Sequence, residues 1–356
     1  PGDVFVAMPG TRDRGSRYIS QAVANGARYV ISPEPGPLPD RAHVELVVRP
    51  DMAEALGELA RESFGTDRHR FQLVGITGTN GKTTVSYLLE HILHQAGKKV
   101  GLVGTIAYRW PGMTREAGLT TPGCLQMHEL LSSMAAADVD VVCMEVSSHG
   151  LDQGRVAGLR FDVAGFTNLT QDHLDYHQDM EAYFQSKMKL FCLQGQIGPA
   201  GVINVDDPYG RRLFTRLDRA LGFSLDGFGD DQSLQGRITS LGRHGLELEC
   251  RYQGQGWTVQ SRMIGRHNGS NILAAQALAL ELGIDPGVFA GIRDFAGVPG
   301  RLERIVNSRG LHVFVDYAHT PDALENVLSS VRGLGFNRVV VLFGCGGDRD
   351  RAKRPQ

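Results

Sequence analysis

Short apolar runs alternate with amphipathic segments along most of the chain. Apolar runs of about four to eight residues are typical of buried strands, and apolar residues that recur every three or four positions are typical of helices. The predicted strands are 71–76, 100–103, 139–146, 161–166 and 201–204. The predicted helices between and after them are 82–95, 124–136, 180–191 and 208–217. Strands that alternate with helices form βαβ units, so the pattern predicts an α/β fold around a doubly wound, mostly parallel sheet.

Both ends of the chain show the same alternation on a smaller scale, and a hairpin interrupts its middle. Near the start, the predicted strands are 4–8, 29–32 and 44–48, and the predicted helices are 19–25 and 51–64. Alternating residues at 246–252 and 257–263 predict a β-hairpin inserted into the central domain. Beyond residue 301, the pattern predicts strands at 313–315 and 339–343 around a helix at 321–331. We therefore predict three regions: a small α/β unit at 1–70, a central α/β domain at 71–300, and a further strand-helix-strand stretch at 301–356.

Composition and charge narrow the class of protein. The 356 residues are 42% hydrophobic, and 37 Lys and Arg face 39 Asp and Glu, for a net charge of −2. Such a balance lacks the positive field on which duplex nucleic-acid binding depends, so no nucleic-acid partner is expected. No apolar run approaches the roughly 18 to 20 residues that cross a bilayer, and the start lacks a signal-peptide pattern. We expect a cytoplasmic protein without membrane contact, whose five scattered cysteines are buried thiols rather than disulfides or zinc ligands.

A glycine-rich turn directly after the strand 71–76 predicts a site for a nucleoside triphosphate. The turn reads Thr77-Gly78-Thr79-Asn80-Gly81-Lys82-Thr83-Thr84. Its glycines let backbone N–H groups approach phosphates, Lys82 can reach the terminal phosphates, and the Thr83 hydroxyl can hold Mg²⁺. The usual G-x4-G-K-[ST] spacing would place a glycine at position 76, which is Ile76. A glycine turn with a solvated lysine is the alternative, and kinase, ATPase, GTPase and ligase chemistry remain open at this point.

Four motifs together resemble the Mur ligase family. They are GTNGKTT at 78–84, TTPG at 120–123, EVSSHGL at 145–151 and NLTQDHLDYH at 168–177. Within that family, the chain is similar over essentially its whole length to the enzymes that add the third residue of the peptidoglycan stem peptide. The resemblance implies a partial N-terminal α/β domain that binds UDP at 1–70, a central P-loop-type domain that binds ATP at 71–300, and a partial Rossmann-like C-terminal domain at 301–356. The resemblance implies that ATP phosphorylates a carboxylate of UDP-N-acetylmuramoyl-dipeptide to an acyl phosphate, which the amine of an amino acid then attacks. Such chemistry needs cations and positioning more than a side-chain nucleophile.

The resemblance implies that Lys82, Glu145, His173 and Lys187 carry the chemistry. Thr83 and Glu145 would hold a first Mg²⁺, and Glu145 follows an apolar strand, where open α/β sheets bind ligands. His173 would serve a second Mg²⁺, together with Lys187 in N-carboxylated form, since a carbamate turns the cation into an anion able to hold a metal. From the residues alone, an exposed carboxylate at 145, a solvated or core histidine at 173 and a solvated helix lysine at 187 remain open.

The resemblance also assigns the ligand contacts. The ATP-binding residues would be Gly78, Thr79, Asn80, Gly81, Lys82, Thr83, Thr84, Asn268, Asn271, Arg301, Asp316 and His319. The residues that bind the UDP-muramoyl-dipeptide would be Thr11, Arg12, Asp13, Thr120, Thr121, Ser147, Gln153 and Arg155. Arg349, in the run GCGGDRD at 344–350, corresponds to an arginine that contacts the carboxylate of the incoming amino acid. Helix capping by Asn268 and Asn271, and an ordinary turn at Gln153 and Arg155, remain open as structural alternatives.

The resemblance favours meso-diaminopimelate as the incoming amino acid, with L-lysine as the alternative. The run GCGGDRD-x-x-KRP is typical of the diaminopimelate type, whereas the deciding Asp-Asn-Pro-Arg run would lie beyond Gln356. Another Mur or folylpolyglutamate-type ligase, and a nucleotide-binding homologue without activity, are further alternatives. The chain begins on Pro1 and ends on Gln356 directly after a glycine-rich turn, so we expect both ends to lie inside a longer protein. We expect these 356 residues to be monomeric and to bind nucleotide without forming the amide bond.

Overall fold

The described part of the chain forms two compact units. The computed structural model describes residues 3–9, 13–36, 38, 43–192, 198–225, 227, 233–318 and 321–344. The first unit takes its described residues from Pro1–Arg70, Pro122–Ala136 and His149–Arg160. The second unit takes its described residues from Phe71–Thr121, Ala137–Ser148 and Phe161–Gln356. The three predicted domains stay a prediction.

Helices and strands alternate through both units, as the sequence pattern predicts. The strands are β1 (Val4–Val6), β2 (Tyr29–Ser32), β3 (Glu45–Val48), β4 (Gln72–Thr77), β5 (Val100–Val103), β6 (Ala107–Trp110), β7 (Met113–Glu116), β8 (Val141–Glu145), β9 (Val163–Phe166), β10 (Ala200–Asn204), β11 (Ala220–Ser224), β12 (Leu234–Gly242), β13 (Gly245–Tyr252), β14 (Gln255–Ser261), β15 (Glu303–Ile305) and β16 (Val313–Val315). The α-helices are α1 (Ile19–Ala24), α2 (Met52–Phe64), α3 (Lys82–Gln95), α4 (Cys124–Ala136), α5 (Ser148–Asp152), α6 (Leu174–His177), α7 (Met180–Met188), α8 (Pro208–Phe214), α9 (Arg266–Glu281) and α10 (Pro321–Arg332). Two 3-10 helices span Gly15–Tyr18 and Pro286–Asp294.

One large sheet organises the second unit. Its strand order is β14-β13-β12-β11-β10-β9-β4-β8-β5-β6-β7, and every pairing from β12 to β5 in that order is parallel. The antiparallel pairings lie at its two edges. The inner strands are continuous apolar runs because helices cover both faces of a parallel sheet. This architecture confirms the predicted α/β class with its mostly parallel sheet, and β13 with β14 confirms the inserted hairpin.

The sequence pattern missed several strands and predicted one that does not form. The sequence pattern did not predict β6, β7, β11, β12 and β15. Of these, β7 and β12 mix polar and apolar residues, and β15 is only three residues long. The predicted strand 339–343 is wrong, because these residues have no strand geometry and Leu342 is 99% exposed. An apolar run becomes a strand only where a neighbouring strand accepts and donates its backbone hydrogen bonds, and no described strand pairs with this run.

A small parallel sheet and a helix pair form the first unit. The sheet has the order β1-β2-β3, and Ile19, Val23 and Val30 form a core against it. Helix α2 packs against α4. Gly57 of α2 also lies close to the backbone of Gly158, which has a φ of +77°.

Three of the four described cysteines are buried and one is exposed. Cys124, Cys143 and Cys250 are buried thiols as predicted, whereas Cys192 is exposed, which corrects the prediction at that position. Cys345 lies outside the described residues. Through the described ranges, each helix is too short or too polar to cross a bilayer.

Replacement of Gly158 tests the close approach in the first unit. A Cβ at this position would overlap the carbonyl oxygen of Gly57, and the left-handed backbone adds strain. We expect Gly158→Ala to lower the free energy of unfolding by about 2 to 4 kcal/mol, measured by denaturant melts. Gly65→Ala is the matched control, because Gly65 has a φ of +62° with nothing within 4 Å of an added Cβ. Equal losses in the two variants would show that the close approach contributes nothing.

The buried ring of His128 predicts that stability depends on pH. Its Nε2 lies 2.9 Å from the carbonyl oxygen of Ala157, which only accepts, so Nε2 donates and Nδ1 accepts from the Thr66 hydroxyl at 2.6 Å. Burial lowers the pKa of His128 below its ordinary value of 6.5. The folded protein therefore binds fewer protons here than the unfolded chain. This contribution to stability is complete above about pH 6.5 and is lost as the pH falls through the lowered pKa.

We expect the free energy of unfolding to fall between pH 7 and pH 5 by at most about 1.4 kcal/mol per pH unit from this ring. His128→Gln should be less stable at pH 7.5 and should show a flatter pH dependence, measured by urea melts at each pH. His94→Gln, at an exposed position of α3, is the control and should keep the slope of the wild type. A slope unchanged in His128→Gln would contradict the assignment.

Candidate active site

The phosphate loop joins β4 to α3 at the centre of the large sheet. Gly78 has a φ of +148° and Gly81 a φ of +89°, conformations that few residues with a side chain adopt. A Cβ on Gly78 would overlap the Thr167 hydroxyl, and one on Gly81 would lie 2.5 Å from Oδ1 of Asn271. Both glycines are therefore required by close packing as well as by the backbone. The structure has the strand, turn and helix that the sequence predicts for a triphosphate cradle.

Two lysine amines converge on one carbonyl oxygen of this loop. Lys82 Nζ donates to the carbonyl oxygens of Gly78 and Thr79 at 2.9 Å, and Lys187 Nζ donates to that of Gly78 at 2.8 Å. Lys187 is 1% exposed, so the alternative of a solvated helix lysine is wrong. Burial, reinforced by the charge of Lys82, lowers the pKa of Lys187 well below its ordinary value. Burial also lowers the pKa of Lys82, against the opposing charge of Glu145.

The carboxylate of Glu145 lies at the end of β8, fully buried. It accepts hydrogen bonds from the Thr83 hydroxyl and, through both of its oxygens, from the hydroxyl and backbone N–H of Thr105, all at 2.9 Å. The alternative of an exposed carboxylate is therefore wrong, since the side chain has 0% exposure. Thr83 and Glu145, predicted as ligands of one Mg²⁺, are in direct contact.

Tyr183 brings together the two residues predicted for a second ion. Its ring lies edge-on to the His173 ring at 6.1 Å, and Lys187 Nζ lies 4.5 Å from the ring centre. Its hydroxyl is 3.2 Å from the hydroxyl of Thr79 in the phosphate loop. The His173 side chain is 44% exposed, and its backbone N–H donates to Asp172 at 2.9 Å. Burial raises the pKa of Tyr183, so the phenol stays protonated.

The donor set fits Mg²⁺ that is shared with a triphosphate. Among the described residues, no three His, Cys, Asp or Glu side chains form a group able to hold a metal by themselves. Proteins usually bind Mg²⁺ through one or two carboxylates together with substrate phosphates and water. Thr83 and Glu145, beside the phosphate loop, offer a donor set of this kind.

The residues predicted to bind the acceptor fall in both units. In the second unit, the Thr121 hydroxyl donates to the Glu145 carbonyl oxygen at 3.0 Å and accepts from the Ser147 N–H at 3.0 Å, while the Thr120 hydroxyl lies 3.1 Å from that of Thr105. In the first unit, the Arg155 guanidinium donates to Oε1 of Gln153 at 2.6 and 3.1 Å.

Asp13, in the first unit, accepts hydrogen bonds from residues of its own segment. It accepts from the Arg17 guanidinium at 3.0 Å and from the Tyr18 hydroxyl at 2.7 Å. These bonds lower the pKa of Asp13, with the Tyr18 bond as the largest cause. Thr11 and Arg12 lie outside the described residues.

Outside the phosphate loop, the described residues predicted to contact ATP lie in α9 and in the segment from Arg301 to Asp316. Asn268 and Asn271 lie inside α9, whose N-cap is Gly265, so the alternative that they cap this helix is wrong. Asn271 donates to Asn268 Oδ1 at 3.0 Å, and its own Oδ1 faces Gly81. Arg301 Nη2 lies 3.5 Å from the Thr83 hydroxyl, which places the guanidinium at the phosphate loop.

Asp316 lies at the end of β16. Its carboxylate accepts the backbone N–H groups of Leu302 and Ala318, both at 2.7 Å, and so fixes the loop that carries Arg301. His319 and Arg349 lie outside the described residues.

The sequence did not single out Thr105, Thr167 and Asn168, whose hydrogen bonds support Glu145 and the phosphate loop. Thr105 follows β5, while Thr167 and Asn168 follow β9 and bind the phosphate loop. The Thr167 hydroxyl donates to the Asn80 carbonyl at 2.6 Å, and the Asn80 N–H donates to Asn168 Oδ1 at 2.9 Å. Both stretches begin at the carboxyl ends of parallel strands, which is the edge where open α/β sheets bind ligands. That position was the available signal.

Three family models match the chain in succession. The "Mur ligase family, catalytic domain" matches residues 1–64, the "Mur ligase middle domain" residues 76–279, and the "Mur ligase, glutamate ligase domain" residues 300–356. The middle-domain match covers the phosphate loop, Glu145, His173 and Lys187.

Curated relatives and a solved structure resemble the chain over nearly its whole length. The UDP-N-acetylmuramoyl-L-alanyl-D-glutamate–2,6-diaminopimelate ligase of Lawsonia intracellularis is 46% identical over 356 residues, which cover 99% of this chain and 74% of that protein. The enzyme of the same name from Gloeobacter violaceus is 44% identical over 358 residues, covering 100% of this chain and 72% of that protein. A solved structure under the same name has a TM-score of 0.80 at 30% identity, covering 99% of this chain and 72% of the other.

Proposed function

The chain belongs to the Mur ligase family, and from that premise we propose that it adds meso-diaminopimelate to UDP-N-acetylmuramoyl-L-alanyl-D-glutamate at the expense of ATP. The observation that carries the proposal is the contact between Thr83 of the phosphate loop and the buried carboxylate of Glu145. This contact supports the proposal because a hydroxyl and a carboxylate lie together beside a loop suited to a triphosphate. The names of the relatives supply the substrates.

The nucleotide side of the reaction rests on charge and position. The phosphate loop would cradle the triphosphate with its backbone N–H groups and the N-terminus of α3. Lys82 would exchange the carbonyl oxygens of Gly78 and Thr79 for the terminal phosphate, and Arg301 lies near enough to join it. Thr83 and Glu145 would hold Mg²⁺, which neutralises charge on the transferred phosphoryl group when bound. No side chain of the site needs to act as a nucleophile.

The acceptor side rests on the hydroxyls near Glu145. Thr120, Thr121 and Ser147 can bind the dipeptide so that one of its carboxylates faces the terminal phosphate. A carboxylate oxygen then forms a bond to the γ-phosphorus while the bond to the β-phosphate oxygen breaks, releasing ADP. The amine attacks the acyl carbon, inorganic phosphate leaves, and the amine gives up a proton to reach the neutral amide. The negative charge that develops in these steps lies on oxygen atoms, which is why buried donors and cations suit the site.

Binding and phosphate release test the proposal. Calorimetry on the 356-residue chain should show binding of ATP with Mg²⁺ and of UDP-N-acetylmuramoyl-L-alanyl-D-glutamate, but not of folate. Phosphate release is then measured with diaminopimelate, L-lysine or L-glutamate, on this chain and on a longer chain completed with the part of a relative that it does not span. Release with diaminopimelate alone supports the proposal. Turnover of folate with glutamate would overturn it, and amide formation by the 356 residues would contradict the expectation that they do not form the bond.

Lys187 is proposed to act as a carbamate. A lysine ε-amine must be uncharged to react with CO₂, and burial of Lys187 favours that form. The carbamate would retain one N–H, able to keep the 2.8 Å bond to the Gly78 carbonyl. The carbamate oxygens and His173 would together be ligands of a second Mg²⁺. The His173 ring and Lys187 Nζ both lie against the Tyr183 ring.

Replacement of Lys187 tests this role. In that longer chain, Lys187→Ala should abolish ligation, and a high bicarbonate concentration should not restore it, because no amine remains to be carboxylated. Wild-type protein in ¹³C-bicarbonate should show a carbamate carbon signal that Lys187→Ala lacks. Lys189→Ala, at the exposed neighbouring lysine, is the matched control and should keep both activity and signal. Near-normal ligation by Lys187→Ala would refute the metal-bridging role.

A further inference from the structure

Thr105 holds the buried carboxylate of Glu145 by both of its oxygens. The backbone N–H of Thr105 donates to Oε1 and its hydroxyl donates to Oε2, each at 2.9 Å. We infer that Thr105 is a positioning residue that fixes the Glu145 carboxylate for Mg²⁺ and links it to the acceptor side. The inference rests on the proposed function of the site as a Mg²⁺–ATP centre.

The two hydrogen bonds from Thr105 fix the orientation of the Glu145 carboxylate as well as its position. A carboxylate held at a single oxygen can still rotate about its final bond, whereas contacts at both oxygens also set the plane of the group. Glu145 is fully buried, so water does not replace a donor that is removed. A buried carboxylate that loses a hydrogen bond pays the desolvation cost of the freed oxygen.

The residue before Thr105 is shaped to the same carboxylate. A Cβ on Gly104 would overlap Oε1 of Glu145 and would lie 3.1 Å from its Cδ. The backbone of Gly104 is outside the left-handed region, so its conformation alone does not call for glycine. The carboxylate itself occupies the space that a side chain would need. Gly104 and Thr105 therefore act together, one by leaving room and the other by supplying donors.

The hydroxyl protons of this cluster have a fixed direction. The Thr105 hydroxyl donates to Oε2 of Glu145, and this bond uses its single proton. The Thr120 hydroxyl, 3.1 Å from that of Thr105, must then donate to it. A chain of donors runs from Thr120 through Thr105 to Glu145. It joins a residue predicted to bind the acceptor to one predicted to hold the metal.

The carboxylate has capacity left for one cation. A carboxylate offers about four lone-pair directions. Within the described structure, Oε2 accepts from Thr83 and Thr105, and Oε1 accepts from Thr105. Oε1 thus accepts one hydrogen bond fewer than Oε2, so Glu145 would keep a lone pair for Mg²⁺ while Thr105 holds its carboxylate in place.

Nucleotide binding with and without Mg²⁺ tests the inference. The dissociation constant of ATP is measured in EDTA and in saturating Mg²⁺, and Mn²⁺ binding to the ATP complex is followed by EPR. In the wild type, Mg²⁺ should tighten ATP binding. Thr105→Val keeps the shape and the backbone N–H but lacks the hydroxyl, and should lose about tenfold or more of that gain. Its metal-free affinity should stay within about twofold of wild type, since Thr105 does not contact the phosphate loop.

Two conservative variants and a control separate this role from a general loss of structure. Thr105→Ser retains both donors and should keep the Mg²⁺ gain, whereas Thr105→Cys, of similar size but a weak donor, should lose it. This pair decides the matter if Thr105→Val fails to fold. Thr114→Val, at an exposed position of β7, should match the wild type.

The outcomes are distinguishable. A Mg²⁺ gain in the wild type that persists in Thr105→Val and Thr105→Cys overturns the inference and leaves the proposed function intact. Equal losses in Thr105→Val and Thr114→Val also overturn it. A wild type without any Mg²⁺ gain overturns the proposed function and the inference together. Loss in Val and Cys with retention in Ser supports the inference.

Discussion

The structure of the site depends on surrounding one buried carboxylate with hydrogen-bond donors. Glu145 has no exposed surface, and a buried polar group is stable only when donors or acceptors of the protein replace water. Those donors come from the helix that follows β4 and from the second residue after β5. β8 lies between these two strands in the sheet, so the strand order brings the three groups together. A change of register in either pairing would move a donor away from the carboxylate.

The same edge of the sheet solves a second electrostatic problem, the close approach of two amines. Lys82 and Lys187 share the Gly78 carbonyl oxygen, and two positive charges at such a distance repel. Burial and mutual repulsion both favour the neutral form of Lys187. The Tyr183 ring beneath Lys187 supplies an electron-rich face that suits either form. The closeness of the two amines therefore lowers the stability of the folded protein, as is common at sites whose groups are arranged for chemistry.

Much of the fold could be predicted from the sequence, and the reasons are local. Helix α3 and the strands β4, β5 and β8 follow from apolar periodicity and from the glycine turn between β4 and α3. The edge strand β7 could not be predicted, because its four residues are all exposed and its structure depends on pairing with β6. The run 339–343 is apolar like a strand, but no described strand pairs with it and it forms none. Strand formation therefore depends on the neighbouring strand as well as on the sequence of the run.

The site was predictable where a motif carries it and not where only the packing does. The phosphate loop and Glu145 stand in recognisable runs, but whether Glu145 and Lys187 are buried depends on elements that pack over them. Thr105 could not be singled out, because its partner Glu145 is 40 positions away and threonines after strands are common. Likewise, Asn268 and Asn271 have the side chains of caps, and only the observed start of α9 shows that they are interior residues facing the loop.

The division into units carries a consequence for how the chain is made. The polypeptide passes between the units near residues 70, 121, 136, 148 and 160, so neither unit is a contiguous stretch. During synthesis, the first unit cannot reach its full set of contacts until residue 160 has left the ribosome. By then β4, α3 and β8 of the second unit have also been made, and the two must fold in overlapping time. A gene fragment that ends before that point encodes neither unit complete.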